Sequence, residues 1–559
     1  MKFRASAVFA IAAVLACAQP AFTAQTSAQG PVCVENANLS ELREALLSRR
    51  TTATALTQAY LARIAAYDKA GPGLNAVREI NPDALAIAAR LDASGPDARL
   101  PLWGIPILIK DNIATGDSQH TTAGSLALAD ARARRDATVA ATLRRAGAVI
   151  LGKTNLTEFA NILAVGMPGG YSSLGGQVKN PYVPQLNERG IPIVGPGGSS
   201  SGSAVAVAAG LAAASIGTET SGSLLNPANM NGLVTVKPTV GLISRAGILP
   251  IAASQDTAGP LTRTVRDAAL LLNVLAARDP TDFATRNLQR PADYTASLKA
   301  DGLRGSRIGV PSDPSDPAND VYYSSLPPPA AQVMRNTIAA LESAGATVVR
   351  ANIPTPGWMG GPGADMPVLN LNPESANRNQ LQRVPTVFVY ELKNGLNAYL
   401  RDWATNTPMR TMSDIVAFNQ ANASRALRFG QDIFLASEAT RGDLSEPEYA
   451  AARQMDIRTS RTLGLDAYMS EHRLDVVLFP ANIGAAIAAK AGYPSVQVPA
   501  GFVAGANLNF TPDYPYGATF TGRAWSEPVL LRLAYAFEQL TMARRMPPGM
   551  PPLDPACSR

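Results

Sequence analysis

Histidine and cysteine are scarce in this chain. Its 559 residues include two histidines, His120 and His472, and three cysteines, Cys17, Cys33 and Cys557. That removes most metal chemistry, because there is no His-Glu-x-x-His, no cysteine pair at ligand spacing and no acidic calcium loop. Catalysis then has to use oxygen nucleophiles with a lysine or carboxylate. Charge is also sparse, at 16% of residues against 46% hydrophobic, a globular composition that excludes wholesale disorder. The formal net charge is +6 and falls to +4 without Lys2 and Arg4. The basic residues form no stripe, so neither nucleic acid nor a charged membrane surface is an expected partner.

No membrane-spanning anchor is expected. The apolar run Ala5 to Ala16 is too short, and it follows Lys2 and Arg4 and precedes small residues. This is the pattern of an export signal over residues 1–24, which places the mature protein in the periplasm or outside the cell. Cleavage sites are offered after Ala18, Ala24 and Ala28. A minority alternative is that Val14-Leu15-Ala16-Cys17 resembles a lipobox, with Cys17 as a lipid anchor. Cys33 and Cys557 then remain, one near each end of the mature chain. In an oxidising compartment such a pair suggests a disulfide, and two unrelated thiols in mobile tails are the alternative.

What is present centres on Gly195 to Pro227, which reads GPGGSSSGSAVAVAAGLAAASIGTETSGSLLNP. Two glycine-serine turns flank a small-residue apolar run, whereas a flexible linker would have no such run. The run predicts a buried helix over 203–214, with Ser199 to Ser201 in the first turn and Ser221 and Ser223 in the second. Hydroxyls far apart in sequence are thereby expected to meet in one crevice. Glycines at 197, 198, 202 and 222 let backbone N–H groups approach a ligand, as an oxyanion site requires.

Along the rest of the chain, Asn38-Leu39-Ser40-Glu41 reads as a helix start with a capping box. Leu56, Tyr60, Ile64 and Tyr67 continue at helical spacing. Gly104 to Asn112 reads as a strand that ends in Lys110, and Asp136–Ala146 followed by Ala148–Leu151 as helix then strand. Residues 235–264 read as loop-rich with short strands, 266–277, 331–344, 415–438 and 527–545 as helices, and 476–480 and 493–499 as buried strands. Proline- and glycine-rich stretches at 311–330 and 354–375 read as surface loops. The alternation predicts an α/β fold, with one domain over 33–548 and a C-terminal tail over 549–559.

Three serine arrangements compete. Gly198-Ser199-Ser200-Ser201-Gly202 matches the G-x-S-x-G elbow of an α/β-hydrolase, which would pair Ser200 with His472 as an esterase. Ser-x-x-Lys spacing occurs nowhere in the chain. The third arrangement joins Lys110, Ser199 and Ser223. Lys110-Asp111-Asn112, Gly152 to Glu158, Gly197 to Gly202, Gly222-Ser223 and Gln255 to Pro260 follow one another in an order that resembles the amidase signature family. Within that family the chain is most similar to bacterial peptide amidases, which share SSSGSAVAVA, GTET and Ala524-Trp525-Ser526-Glu527-Pro528.

The resemblance implies an α/β/α sandwich whose central mixed sheet is surrounded by helices. It also implies hydrolysis of carboxamides, peptide C-terminal amides first among them, without metal or organic cofactor. Ser223 would be the nucleophile, Ser199 a serine held by a cis peptide bond, and Lys110 the base. Backbone N–H groups of Thr220, Ser221, Gly222 and Ser223 would form the oxyanion hole. Ser221 stands where glycine is frequent in the family and Leu225 where arginine is frequent, which implies a more neutral pocket. Asp111, Lys153 and Asp256 are expected to be supporting residues, with specificity set by loops such as 354–375 and 386–400. A monomer or homodimer is expected, and an amidotransferase subunit supplying ammonia to a partner is the other class.

Overall fold

The computed structural model describes residues 32–355, 384–504 and 513–557, and residues from Val32 onward form one compact unit. The targeting segment, Cys17 and most of the 354–375 loop lie outside the described residues. An eleven-stranded sheet runs through the unit. Its strands are β1 (Val77–Ile80), β2 (Pro106–Lys110), β3 (Val149–Thr154), β4 (Ala214–Glu219), β5 (Val234–Lys237), β6 (Thr257–Thr262), β7 (Arg307–Val310), β8 (Thr347–Arg350), β9 (Val476–Pro480), β10 (Ser495–Val503) and β11 (Tyr514–Thr521). The spatial order is β1-β3-β2-β4-β6-β5-β10-β11-β9-β7-β8. β2 runs parallel to β3 and β4, while β4 and β6 are antiparallel, so the sheet is mixed.

The local rules that shape the helices act as the residues suggest. Asn38 accepts from Glu41 N at 2.9 Å, and Glu41 accepts from Asn38 N at 2.8 Å, which closes the capping box. The helix thus started buries Leu39, Leu42, Ala45 and Leu46. The next helix, Ala53–Arg63, turns Leu56 and Tyr60 inward, and Ile64 follows them into the core. Strands β2, β3 and β4 are buried at every position, as expected of parallel strands covered on both faces.

Three expectations need correction. The small-residue run divides into two elements, with a helix over Ser201–Ala208 and β4 starting at Ala214. The break comes at Gly210, which has a φ of 68° and lies where a Cβ would meet Glu35 O at 2.6 Å. The helix expected over 415–438 is likewise divided, into Met412–Ala421, a turn at Ala423–Ala426, and Asp432–Glu438. The segment 386–400 is part of a helix, Thr386–Asp402, with Phe388, Leu392, Leu396 and Tyr399 buried. Its apolar spacing of three to four residues is helical, and Pro385 precedes it at a position that suits a helix start.

Cys33 and Cys557 form a disulfide across a sequence separation of 524. Among the described residues no helix is long and apolar enough to cross a membrane.

The serine-bearing helix sits so close to the backbone around it that its glycine has no substitute. A Cβ at Gly202 would stand 2.2 Å from Ala76 O and 2.5 Å from Asn155 O. We therefore expect Gly202→Ala to destabilise the fold by at least the ~1–3 kcal/mol typical of overpacking, because backbone cannot swing aside as a side chain can. Chemical denaturation of the variant against the wild type measures this directly.

Candidate active site

Lys110 ends β2, one residue beyond the register in which Ile109 faces Ile216 of β4. This places its side chain where β4 runs out at Glu219, at the carboxyl edge of two parallel strands. The ammonium group is fully buried. Lys110 Nζ lies 2.8 Å from Ser199 Oγ, 2.9 Å from Thr218 Oγ1 and 3.3 Å from Thr218 O. Among the described residues it has no ion-pair partner. Burial therefore pulls its pKa down to about 7, and the more distant Glu219 and Asp256 only partly oppose the shift.

A neutral amine has two N–H bonds and one lone pair. The two Thr218 oxygens can take both N–H bonds, which leaves the lone pair facing the Ser199 hydroxyl. Asn112 Nδ2 donates to the same Thr218 Oγ1 at 3.1 Å, and to Leu249 O at 3.3 Å, so Thr218 is held in turn.

The first glycine-serine turn supplies Ser199 through a cis Gly198–Ser199 peptide bond. Gly198 N donates to Asn226 Oδ1 at 2.9 Å, and Ser199 O accepts from Thr157 N at 3.0 Å. Ser200 is engaged elsewhere. Its Oγ donates to Thr218 O at 3.0 Å and accepts from Thr218 N at 3.2 Å. Ser201 Oγ closes the turn on Gly197 O.

The second turn comes back against the first, with Ser200 N donating to Ser223 O at 3.2 Å. Both turns thus meet beside Lys110, as the sequence suggests, and Ser223 is nearly buried. Among the described residues no hydrogen bond joins Ser199 Oγ to Ser223 Oγ, as is common for catalytic contacts before substrate arrives.

The Glu219 carboxylate shapes this turn. It accepts from Gly222 N and Leu224 N at 2.7 Å and from Leu225 N at 3.0 Å. The Gly222 N–H, one of the four expected oxyanion donors, is thus engaged with Glu219 in this structure. The N–H groups of Thr220, Ser221 and Ser223 make no hydrogen bond among the described residues. The Thr220 hydroxyl is tied to Asp256, whose other oxygen accepts from Ile251 N and Ala252 N, both at 3.0 Å. Burial pushes the Asp256 carboxyl up to about 6 despite these bonds.

The remaining predicted residues sit in supporting places. Asp111 is buried and paired with Arg78 at 3.0 Å, while Lys153 Nζ donates to Ile113 O at 2.6 Å. Leu225 is buried where the family often has arginine. A cavity of about 330 Å³ adjoins the Lys110 partners, and its walls include Asn112, Thr218, Thr220, Ile251, Tyr399 and Trp403. The helix Thr386–Asp402, expected from sequence to be a specificity loop, therefore forms one wall. Thr218 and Glu219 are the functional positions that sequence reasoning missed. They lie within the GTET phrase, but only the fold shows what they touch.

His472 does not meet Ser200. It follows the helix Ala467–Glu471 and packs edge-on against Tyr468, and its carbonyl accepts from Arg307 at 3.1 Å. It lies just before β9, five strand positions from β4, which is roughly 24 Å at the usual ~4.8 Å spacing. The Ser200–His472 esterase arrangement is thereby excluded. His120 is bound to Glu79 at 2.9 Å.

Such an arrangement, a buried lysine and two serine turns at the edge of a mixed sheet, offers the groups of a serine–lysine hydrolase and brings no histidine to them. The amidase family model matches residues 55–531. A protein named as a probable amidase from Arabidopsis thaliana is 37% identical, over 92% of each chain. A glutamyl-tRNA(Gln) amidotransferase subunit from Roseiflexus is 34% identical, over 92% of this chain and 98% of its own. The crystal structure of a peptide amidase from Stenotrophomonas maltophilia superposes with a TM-score of 0.78 at 42% identity, covering 92% of this chain and 98% of that one. The chain belongs to the amidase family, and it is a hydrolase of amide carbon–nitrogen bonds.

Two outcomes follow from the geometry. With a lysine of pKa about 7 as base, turnover rises about tenfold per pH unit below 7 and levels off above it, as the neutral amine fills. A pH–rate profile reads this, and Lys110→Arg, which has no neutral form, abolishes the rise. His472→Ala leaves kcat/KM within about twofold of wild type, the size expected for a residue remote from the reacting atoms.

Proposed function

We propose that this protein hydrolyses carboxamides, peptide C-terminal amides foremost, through a Ser223–Ser199–Lys110 relay and an acyl-enzyme. The observation that carries the reading is the buried Lys110–Ser199 contact, 2.8 Å long and free of any carboxylate partner among the described residues. Neutral Lys110 takes the Ser199 proton as Ser199 takes that of Ser223. The Ser223 oxygen then bonds to the amide carbon. The N–H groups of Thr220, Ser221 and Ser223 receive the charge that forms on the carbonyl oxygen. As the C–N bond breaks, the relay returns a proton to the departing ammonia. Water, activated the same way, then frees the acid.

The peptide-amide preference rests on likeness to the Stenotrophomonas peptide amidase. The residues 1–24 read as an export signal, and a disulfide is what an exported chain would carry. Export would part the protein from the cytoplasmic partner that an amidotransferase needs. We therefore read it as acting alone, as monomer or homodimer, although the Roseiflexus relative keeps the amidotransferase reading as a second possibility.

Ammonia release from a panel of peptide amides, simple amides and esters tests the proposal. Release from peptide amides is expected, with a loss of roughly a thousandfold or more in Ser223→Ala, as for other serine nucleophiles. Release from simple amides alone would discard the peptide preference, and full activity in Ser223→Ala would discard the nucleophile.

A further inference from the structure

The helix Ser201–Ala208 starts at the serine turn, and its far end lies about 12 Å away at 1.5 Å per residue. Two buried arginines hold that far end. Arg63 donates through Nε to Gly210 O at 2.8 Å and through Nη2 to Ala209 O at 3.0 Å. Arg263 Nη1 donates to Val207 O at 2.9 Å and to Ala212 O at 3.0 Å. Neither arginine makes an ion pair among the described residues; Glu35 acts on Arg63 and Asp267 on Arg263 only from farther off, and carbonyl oxygens with the negative end of the helix are the direct partners.

Each guanidinium has further acceptors, and these come from the two ends of the chain. Arg263 Nη2 donates to Ala37 O at 2.8 Å. Arg63 donates to Pro551 O at 3.0 Å and to Met550 O at 3.3 Å, and Tyr67 OH donates to the same Pro551 O at 2.7 Å. Met550 is buried against the core. The segments that carry these carbonyls are joined to one another by Cys33–Cys557.

We infer that residues 549–557 are a disulfide-held latch that completes the carbonyl shell of Arg63 and so positions the serine-bearing helix for turnover. On this reading Arg63 is a positioning residue that acts on Ser199 through the helix, and the segment after 548 is a working part of the enzyme rather than a loose tail. Opening the latch leaves Arg63 with two donors short of partners in a buried place, a costly state that is relieved by letting water in beside Ala209 and Gly210. The turnover part of the inference rests on the proposed amide hydrolysis.

The test is reversible reduction of the mature protein by a dithiol. A dithiol thiolate attacks one sulfur of the bridge and forms a mixed disulfide. Its second thiol then displaces the protein sulfur, so Cys33 and Cys557 leave as thiols and the dithiol is oxidised. Amide exchange over residues 204–212 is expected to quicken. kcat should fall roughly tenfold with KM held, since a misplacement of about 1 Å remote from the chemistry costs up to about a hundredfold. Both changes should return to the starting values on reoxidation. Cys557→Ser is expected to show the same without reductant, and Arg63→Lys, which keeps the charge but not the fork, to resemble it.

Unchanged exchange in the reduced protein would overturn the latch. Faster exchange with unchanged kcat would overturn its link to turnover. The exchange measurement needs no substrate, so a protein that released no ammonia at all would count against the proposed reaction while the latch was still judged by protection.

Discussion

Everything at the centre of this protein depends on the cost of burying the Lys110 ammonium. A charged amine removed from water needs a carboxylate or a dense set of acceptors, and the described residues give it only hydroxyls and one carbonyl. The cheaper state is the neutral amine, which is a base. The negative charges nearest to it are already engaged. Glu219 faces backbone N–H groups, and Asp256 faces Thr220 and its own loop. Their field reaches Lys110 without forming an ion pair, so the lysine pKa stops at about 7.

A base of this kind is useful only if Ser199 is held against it, and the scaffold is built for that. Small residues let the serine helix lie against β2, β3 and β4 at backbone contact, with Gly202 over Ala76 and Asn155. Glu219 ties the second turn at three N–H groups, and Ser200 ties the first turn to Thr218. The arginines at the far end of the helix complete the support. The turns that carry Ser199 and Ser223 are thus tied to rigid elements, and their placement comes from backbone hydrogen bonds more than from side-chain packing.

Much of this is legible in the sequence because it is written in local chemistry. The capping box at Asn38, the strand ending in Lys110, the edges of β9 and the two glycine-serine turns all follow from short-range rules that the fold obeys. Where sequence and fold part, local patterns are silent about tertiary neighbours. The run from Ser203 to Ala214 is equally apolar in helix and strand, so periodicity could not place the break at Gly210, where the backbone lies against Glu35. The segment 386–400 is assigned to a specificity loop only through the resemblance, yet its apolar spacing is helical and its buried face is continuous. His472 satisfies a sequence pattern, and the pattern carries no information about the four strands that lie between β4 and β9.

By itself the sequence determined the family and the chemistry available, and it singled out the residues proposed to perform it. Too few histidines and cysteines leave serine and lysine as the reactive groups, and the order of the motifs is a linear property. Tertiary structure alone decided which N–H groups remain free, that Thr218 sets two oxygens within hydrogen-bond reach of Lys110 Nζ, and that the segment 549–557 closes over Arg63. The last two depend on distances between residues 108 and 488 positions apart. Such distances are set by how the sheet orders its strands, which no local rule encodes.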